Sequence, residues 1–105
     1  MYTKLFIDDE RNPVDTDAIV VRNSAAAIQW IVNHQQLPNE IMFDHDLGGD
    51  DTSRVVIHWL SNWMIDRNVK FPKEFTWSVH SQNPIGREYI NGYMANLVNY
   101  IGYED

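Results

Sequence analysis

The spacing of apolar residues along this 105-residue chain changes repeatedly between a period of two and a helical period. Each change predicts a boundary between elements. Tyr2 to Ile7 alternates and then turns apolar up to Asp8, which predicts a buried strand. Asp9 to Asp17 is a polar connection containing Arg11-Asn12-Pro13, too short and polar for a helix. Ala18 to Arg22, rich in Ile and Val, predicts a second strand. Asn23 or Ser24 then caps a helix carrying Ala27, Ile28, Ile31 and Val32, which ends before Leu37-Pro38-Asn39. Glu40 to Phe43 is a third short strand, ending at Asp44. After the loop from Asp46 to Asp51, Thr52 or Ser53 caps a helix with the apolar stripe Val56, Trp59, Leu60, Trp63 and Met64. Beyond a loop at Phe71-Pro72, Phe75 to Val79 is the fourth strand. Asn83-Pro84 is an N-cap followed by a first-turn proline, and it opens the most regular helix: Ile90, Tyr93, Met94, Leu97, Val98 and Ile101.

Strands alternating with helices predict an α/β fold with a parallel sheet. The expectation is one domain over residues 1–105: a three-layer, open parallel sheet of about four strands in the flavodoxin-like order 2-1-3-4. That order makes the first, third and fourth strands neighbours, and their C-terminal ends form the edge where such sheets bind ligands.

Composition narrows the function classes. The chain is long enough for one hydrophobic core and too short for two. It contains no cysteine, which excludes disulfides and thiolate metal sites. No apolar run approaches the roughly 20 residues needed to span a bilayer, and a cytoplasmic location without membrane association is expected. The net charge of −7 argues against duplex DNA as a partner, because that affinity comes from Lys and Arg displacing counterions.

The acids are unevenly placed. Asp8, Asp9, Asp44, Asp46, Asp50 and Asp51 fall in two motifs at strand ends. Carboxylates about 4 Å apart repel by roughly 4 kcal/mol at an effective dielectric near 20, so such a cluster needs a proton, a basic partner or a cation. Mg²⁺ suits hard oxygen ligands and keeps waters that a phosphate can replace, which makes Asp8, Asp9, Asp44 and Asp46 candidate metal ligands. The plainer alternative is that Asp9 and Asp44 cap loops or pair with Arg11.

His45 and His80 each follow a strand. Adjacent strands lie about 4.8 Å apart, so the two rings could flank one substrate as base and acid in phosphodiester cleavage, with Asp44 beside them. Structural histidines bonded to loop backbone are the alternative. Arg11, Ser81, Asn83 and Arg87 are candidate anion binders, Arg11 through its bidentate guanidinium and the others around a helix N-terminus.

Three blocks carry a family resemblance: Ile7-Asp8-Asp9-Glu10-Arg11-Asn12-Pro13, Phe43-Asp44-His45-Asp46-Leu47-Gly48 and His80-Ser81-Gln82-Asn83-Pro84-Ile85-Gly86. The acidic pair and Asp44 resemble the pocket of response-regulator receivers, but no fifth strand bearing a lysine follows. The fuller resemblance is to the receiver-derived cyclic-phosphate processing family. It implies a phosphate-handling domain acting on a cyclic phosphate of a nucleotide or RNA end, and it implicates Asp8, Asp9, Arg11, Asp44, His45, Asp46, His80, Ser81 and Asn83. The expected function is therefore a cyclic phosphodiesterase-like hydrolase. The alternative is a non-catalytic receiver-like module binding a nucleotide or protein, with a homo-oligomer through the last helix as one form of it.

Overall fold

Short β-branched and aromatic runs become strands, and the capped periodic runs become helices. Their order is β1 (Lys4–Ile7), β2 (Ile19–Val21), α1 (Ser24–His34), β3 (Glu40–Phe43), α2 (Ser53–Arg67), β4 (Thr76–Val79) and α3 (Pro84–Ile101). The computed structural model describes residues 2–105. Every helix starts at a side chain that takes up backbone N–H groups otherwise left without partners. Asn23 accepts from Ala26, Thr52 from Arg54, and Asn83 from both Ile85 and Gly86.

β1 begins two residues later than the alternation suggests. The backbone of Thr3 bonds to the turn at the start of β3: its N–H donates to Asn39 Oδ1 at 2.9 Å and its carbonyl accepts from the N–H groups of Asn39 and Glu40 at 2.9 and 3.1 Å. The sheet is parallel throughout, in the order β2-β1-β3-β4 expected from the alternation. Ile7 pairs with Val21 on one side and Phe43 on the other, and Phe43 pairs with Val79.

Side chains alternate across a strand, so this register sorts them into two faces. Leu5, Ile7, Val21, Ile41 and Phe43 share one face and join Ala27, Ile31, Val56, Ile57, Leu60, Ile90 and Met94 in a single core. Burying one such aliphatic or aromatic side chain is worth about 1.5–3 kcal/mol. The opposite face carries Phe6, Val20, Met42 and Ser78, of which only Phe6 is buried.

The layering differs from the expected three. β2 to β3 and β3 to β4 run in the same direction across the sheet, so right-handed crossovers place α1 and α2 on one face. α1 packs on α2, and α2 packs on α3. α3 lies on that same face, where Asn91 Oδ1 accepts a hydrogen bond from Trp77 Nε1 at 3.2 Å. The β1–β2 connection is the one crossover that would put a helix on the other face. Its polar residues form a loop tied down by the Lys4–Asp15 ion pair. Among the described residues, no helix covers that face, and the fold has two layers. No helix of the described residues is long and apolar enough to cross a membrane.

Candidate functional site

The ladder continues one residue past the strand ends. Asp8 N–H donates to Val21 carbonyl at 3.1 Å, Asp44 N–H to Ile7 carbonyl at 2.9 Å, and His80 N–H to Phe43 carbonyl at 2.9 Å. Asp8, Asp44 and His80 thus form one row across three adjacent strands, in phase with the face that has no helix layer. Their ligand atoms lie within 4.8 Å of one another.

Asp8 is the anchor. It is 1% exposed, and its carboxylate accepts four hydrogen bonds. Oδ1 takes the backbone N–H groups of Glu10 and Arg11 at 2.9 and 2.8 Å. Oδ2 takes Arg11 Nε at 2.9 Å and His80 Nε2 at 3.1 Å. Burial works to raise the carboxyl pKa, but the two backbone N–H groups, the Arg11 charge and the His80 hydrogen bond outweigh it and hold Asp8 below its ordinary range. Asp8 is therefore ionised at neutral pH and accepts only, so His80 Nε2 carries the proton. Phe6 supports the His80 ring from below, parallel to it at 4.6 Å between centroids.

Arg11 spans the row. Besides Asp8, it reaches Asp44 Oδ2 from Nη2 at 3.4 Å and the His80 carbonyl at 3.3 Å. Arg22, which lies outside the three strand-end motifs, braces the loop beneath: it donates to the carbonyls of Asp8 and Arg11 at 3.2 and 2.7 Å and to Asn12 Oδ1 at 2.6 Å.

These groups open into a cleft of about 330 Å³ lined by Asp8, Asp9, Glu10, Arg11, Asp44, Asp46, Ser81, Gln82 and Asn83. That volume lies at the small end of ligand sites. Five carboxylates face one guanidinium, which Asp8 and Asp44 already share. No lysine or arginine among the described residues pairs with Asp9 or Asp46. The expected metal ligands all line the cleft, yet Asp8, Asp44 and His80 are the set that meets at the range of a single ion.

The anion-binding expectation changes in its details. The start of α3 offers no open backbone donors: Ile85 and Gly86 N–H go to Asn83 Oδ1, both at 3.1 Å, and Arg87 N–H goes to the Asn83 carbonyl at 2.9 Å. Arg87 donates from Nη1 to the Ser81 carbonyl at 2.9 Å and does not line the cleft. Ser81 is buried, and its hydroxyl oxygen accepts from Asn83 N–H at 3.1 Å, which leaves its own O–H free to donate. Asp51, grouped with the acidic motif in sequence, holds Ser24 through its backbone N–H and hydroxyl at 2.8 and 2.6 Å.

His45 is placed differently from His80. It is the second residue past β3, so its side chain falls out of phase with the Asp8 row and onto the helix side. Neither histidine ring is among the groups lining the cleft, but the His45 ring is buried whereas the His80 side chain, bonded to the cleft's Asp8, is 24% exposed. His45 Nδ1 lies 3.1 Å from Asp46 Oδ1, and its Nε2 accepts from Arg54 Nε at 2.9 Å. Gly86 presses on it so closely that a Cβ there would sit 2.4 Å from His45 Cγ. The hydrogen bond with His45 is the main cause holding the Asp46 carboxyl below its ordinary range. Arg54, in the first turn of α2, had no signal in the motifs; only its place after the Thr52 cap could have drawn notice.

A family model described as Cyclic-phosphate processing Receiver domain matches residues 3–96. The chain belongs to this family. The match includes all three strand-end blocks and every cleft residue named above. No curated protein and no solved structure matches the chain.

Proposed function

We propose that this receiver-like domain opens a cyclic phosphate, of the 2′,3′ type, on a nucleotide or RNA end. The observation that carries the proposal is the Asp8–His80 pair, set in one row with Asp44 beside an acidic cleft. Asp8 holds His80 in the tautomer with the proton on Nε2, which leaves Nδ1 as the lone-pair nitrogen. His80 is thus prepared to take a proton from water as the water adds to phosphorus. One ester P–O bond breaks, the proton returns to the departing alkoxide oxygen, and a phosphomonoester remains. Arg11 Nη1, which makes no hydrogen bond within the protein, and the Ser81 hydroxyl are the donors toward the phosphate oxygens.

A phosphate entering beside five carboxylates meets net repulsion that one shared guanidinium does not cancel. Asp8 and Asp44 are the carboxylates within single-ion range and would hold Mg²⁺, with Asp9 and Asp46 reached through its waters, whereas His80 Nε2, committed to Asp8, would not bind it. A divalent cation held there would neutralise the cleft and polarise the phosphoryl oxygens. In this reading, His45 orients Asp46 and exchanges no proton with substrate.

A panel of 2′,3′-cyclic nucleotides and cyclic-phosphate RNA ends, with and without Mg²⁺, tests the proposal. Turnover to a monoester that collapses in His80→Ala supports it. Absence of turnover under both conditions, or undiminished turnover in His80→Ala, removes it. Tight nucleotide binding without turnover, or labelling by a phosphoryl donor that is lost in Asp44→Asn, identifies a non-catalytic regulatory module instead.

A further inference from the structure

His45, buried between the starts of two helices, leads to a residue that no motif flags. The Ser53 N–H donates to the His45 carbonyl at 2.9 Å and the Ser53 hydroxyl donates to the Asp44 carbonyl, fastening the start of α2 to this loop. Gly86 brings α3 against the other side of the ring. Two polar contacts complete the surroundings. A guanidinium N–H can only donate, so Arg54 Nε makes His45 Nε2 the acceptor and leaves the proton on Nδ1. That proton points to Asp46 Oδ1 at 3.1 Å, while Asp46 Oδ2 accepts from Asn83 Nδ2 at 3.4 Å. The Asp46 side chain is 65% exposed, so these two hydrogen bonds are what hold its position on the cleft wall. Arg54 is itself fixed from outside, with its guanidinium 4.0 Å above the centroid of Tyr89. The Tyr89 hydroxyl lies 2.6 Å from His58 Nε2.

We propose that Arg54 is a positioning residue for the cleft. By donating to His45 Nε2 it sets the imidazole as the Nδ1–H tautomer, and that Nδ1–H places the Asp46 carboxylate among the cleft's oxygen donors. The role of Asp46 toward a cation rests on the function proposed above; its placement by Arg54 does not.

Two readings separate these levels. ¹⁵N spectra of the His45 ring at fixed pH 7.5 report the tautomer, and the Asn83 side-chain amide resonance reports whether Asp46 stays in place. Mg²⁺ alone, titrated by calorimetry, reports the cleft. Arg54→Met is expected to shift the His45 signals toward the Nε2–H tautomer, to displace the Asn83 amide resonance, and to weaken Mg²⁺ binding about fivefold, the worth of one modest hydrogen bond. Arg54→Lys, which keeps a donor, is expected to restore all three in part. Tyr89→Phe, which keeps the ring under Arg54, is expected to leave them unchanged. The proposal is overturned if His45 keeps its tautomer in Arg54→Met, or if the tautomer changes while the Asn83 resonance stays put. Failure of the wild-type protein to bind Mg²⁺ sinks the cation reading, and the two spectroscopic signals then decide the role of Arg54 alone.

Discussion

His45 and His80 sit at the ends of neighbouring strands, yet the fold places them in opposite surroundings. His80 is one residue past β4 and shares a row with Asp8 and Asp44; His45 is two residues past β3 and turns under the helices. His80 receives support from one ring and one carboxylate and keeps a quarter of its side chain in solvent. His45 is enclosed by a glycine, an arginine and an aspartate, with both nitrogens engaged. A single residue of offset separates a group able to meet a ligand from one that fastens the scaffold. In a sheet with period two, that offset is a change of face.

Substituting each histidine separates these roles most strongly. His80→Ala is expected to lower turnover of a cyclic phosphate by about 10²–10⁴-fold, the usual worth of a positioned acid or base. The same change should alter stability by no more than about 1 kcal/mol, because the ring is partly solvated. His45→Ala should do the reverse, costing about 2–3 kcal/mol for the cavity and the lost buried hydrogen bonds. Urea unfolding set beside turnover checks both; equal stability losses would erase the distinction.

The carboxylate partners extend the comparison. Asp8→Ala is expected to cost about 3 kcal/mol, since it strips four donors of their acceptor in a buried position. Asp46→Ala should cost only about 1 kcal/mol, since from a largely exposed site it removes one acceptor, that of the buried His45 Nδ1–H. Denaturant midpoints of the two variants provide the test.

A smaller effect probes the packing of His45 alone. Gly86→Ala gains helix propensity of about 1 kcal/mol, but its Cβ lands on a buried ring. Overpacking of that kind costs about 1–3 kcal/mol, so a net loss of about 1 kcal/mol is expected by thermal or urea unfolding. A stabilised variant would show that the ring moves aside freely.

Acidification gives the gentlest test. The Asp8 pKa is lowered on folding, so near pH 4 the unfolded chain binds more protons than the folded one. The stabilisation from Asp8 is complete above the unfolded carboxylate value of about 3.9. It fades as the pH falls through the lower folded value. Melting temperatures between pH 2 and 6 should show a steeper acid decline for the wild-type protein than for Asp8→Asn. Parallel curves would mean that Asp8 contributes little to the pH dependence.

Much of this organisation is legible in the residues themselves. The alternation of periods yields the parallel sheet and its order, and Asn23, Thr52 and Asn83 announce their helices because caps act locally. The strand-end motifs converge on one cleft because parallel strands end at one edge. The start of α3 is different: the same Asn83 that marks the helix also consumes the N–H groups a phosphate would need. Arg87 and Asp51 likewise bond to nearby partners and lie outside the cleft lining, which the residue types alone do not reveal.

What the sequence by itself determined is local and periodic: which runs become strands or helices, where they begin, and which polar residues stand at strand ends. Tertiary structure decided the rest. The polar β1–β2 loop left one face without a helix layer, the register put Asp8, Asp44 and His80 in one row, and packing enclosed His45 between α2 and α3. The reason is that propensity and capping depend on neighbours a few positions away. Whether a side chain meets solvent, a carboxylate or a helix depends on register and layering, which exist only once distant segments have packed.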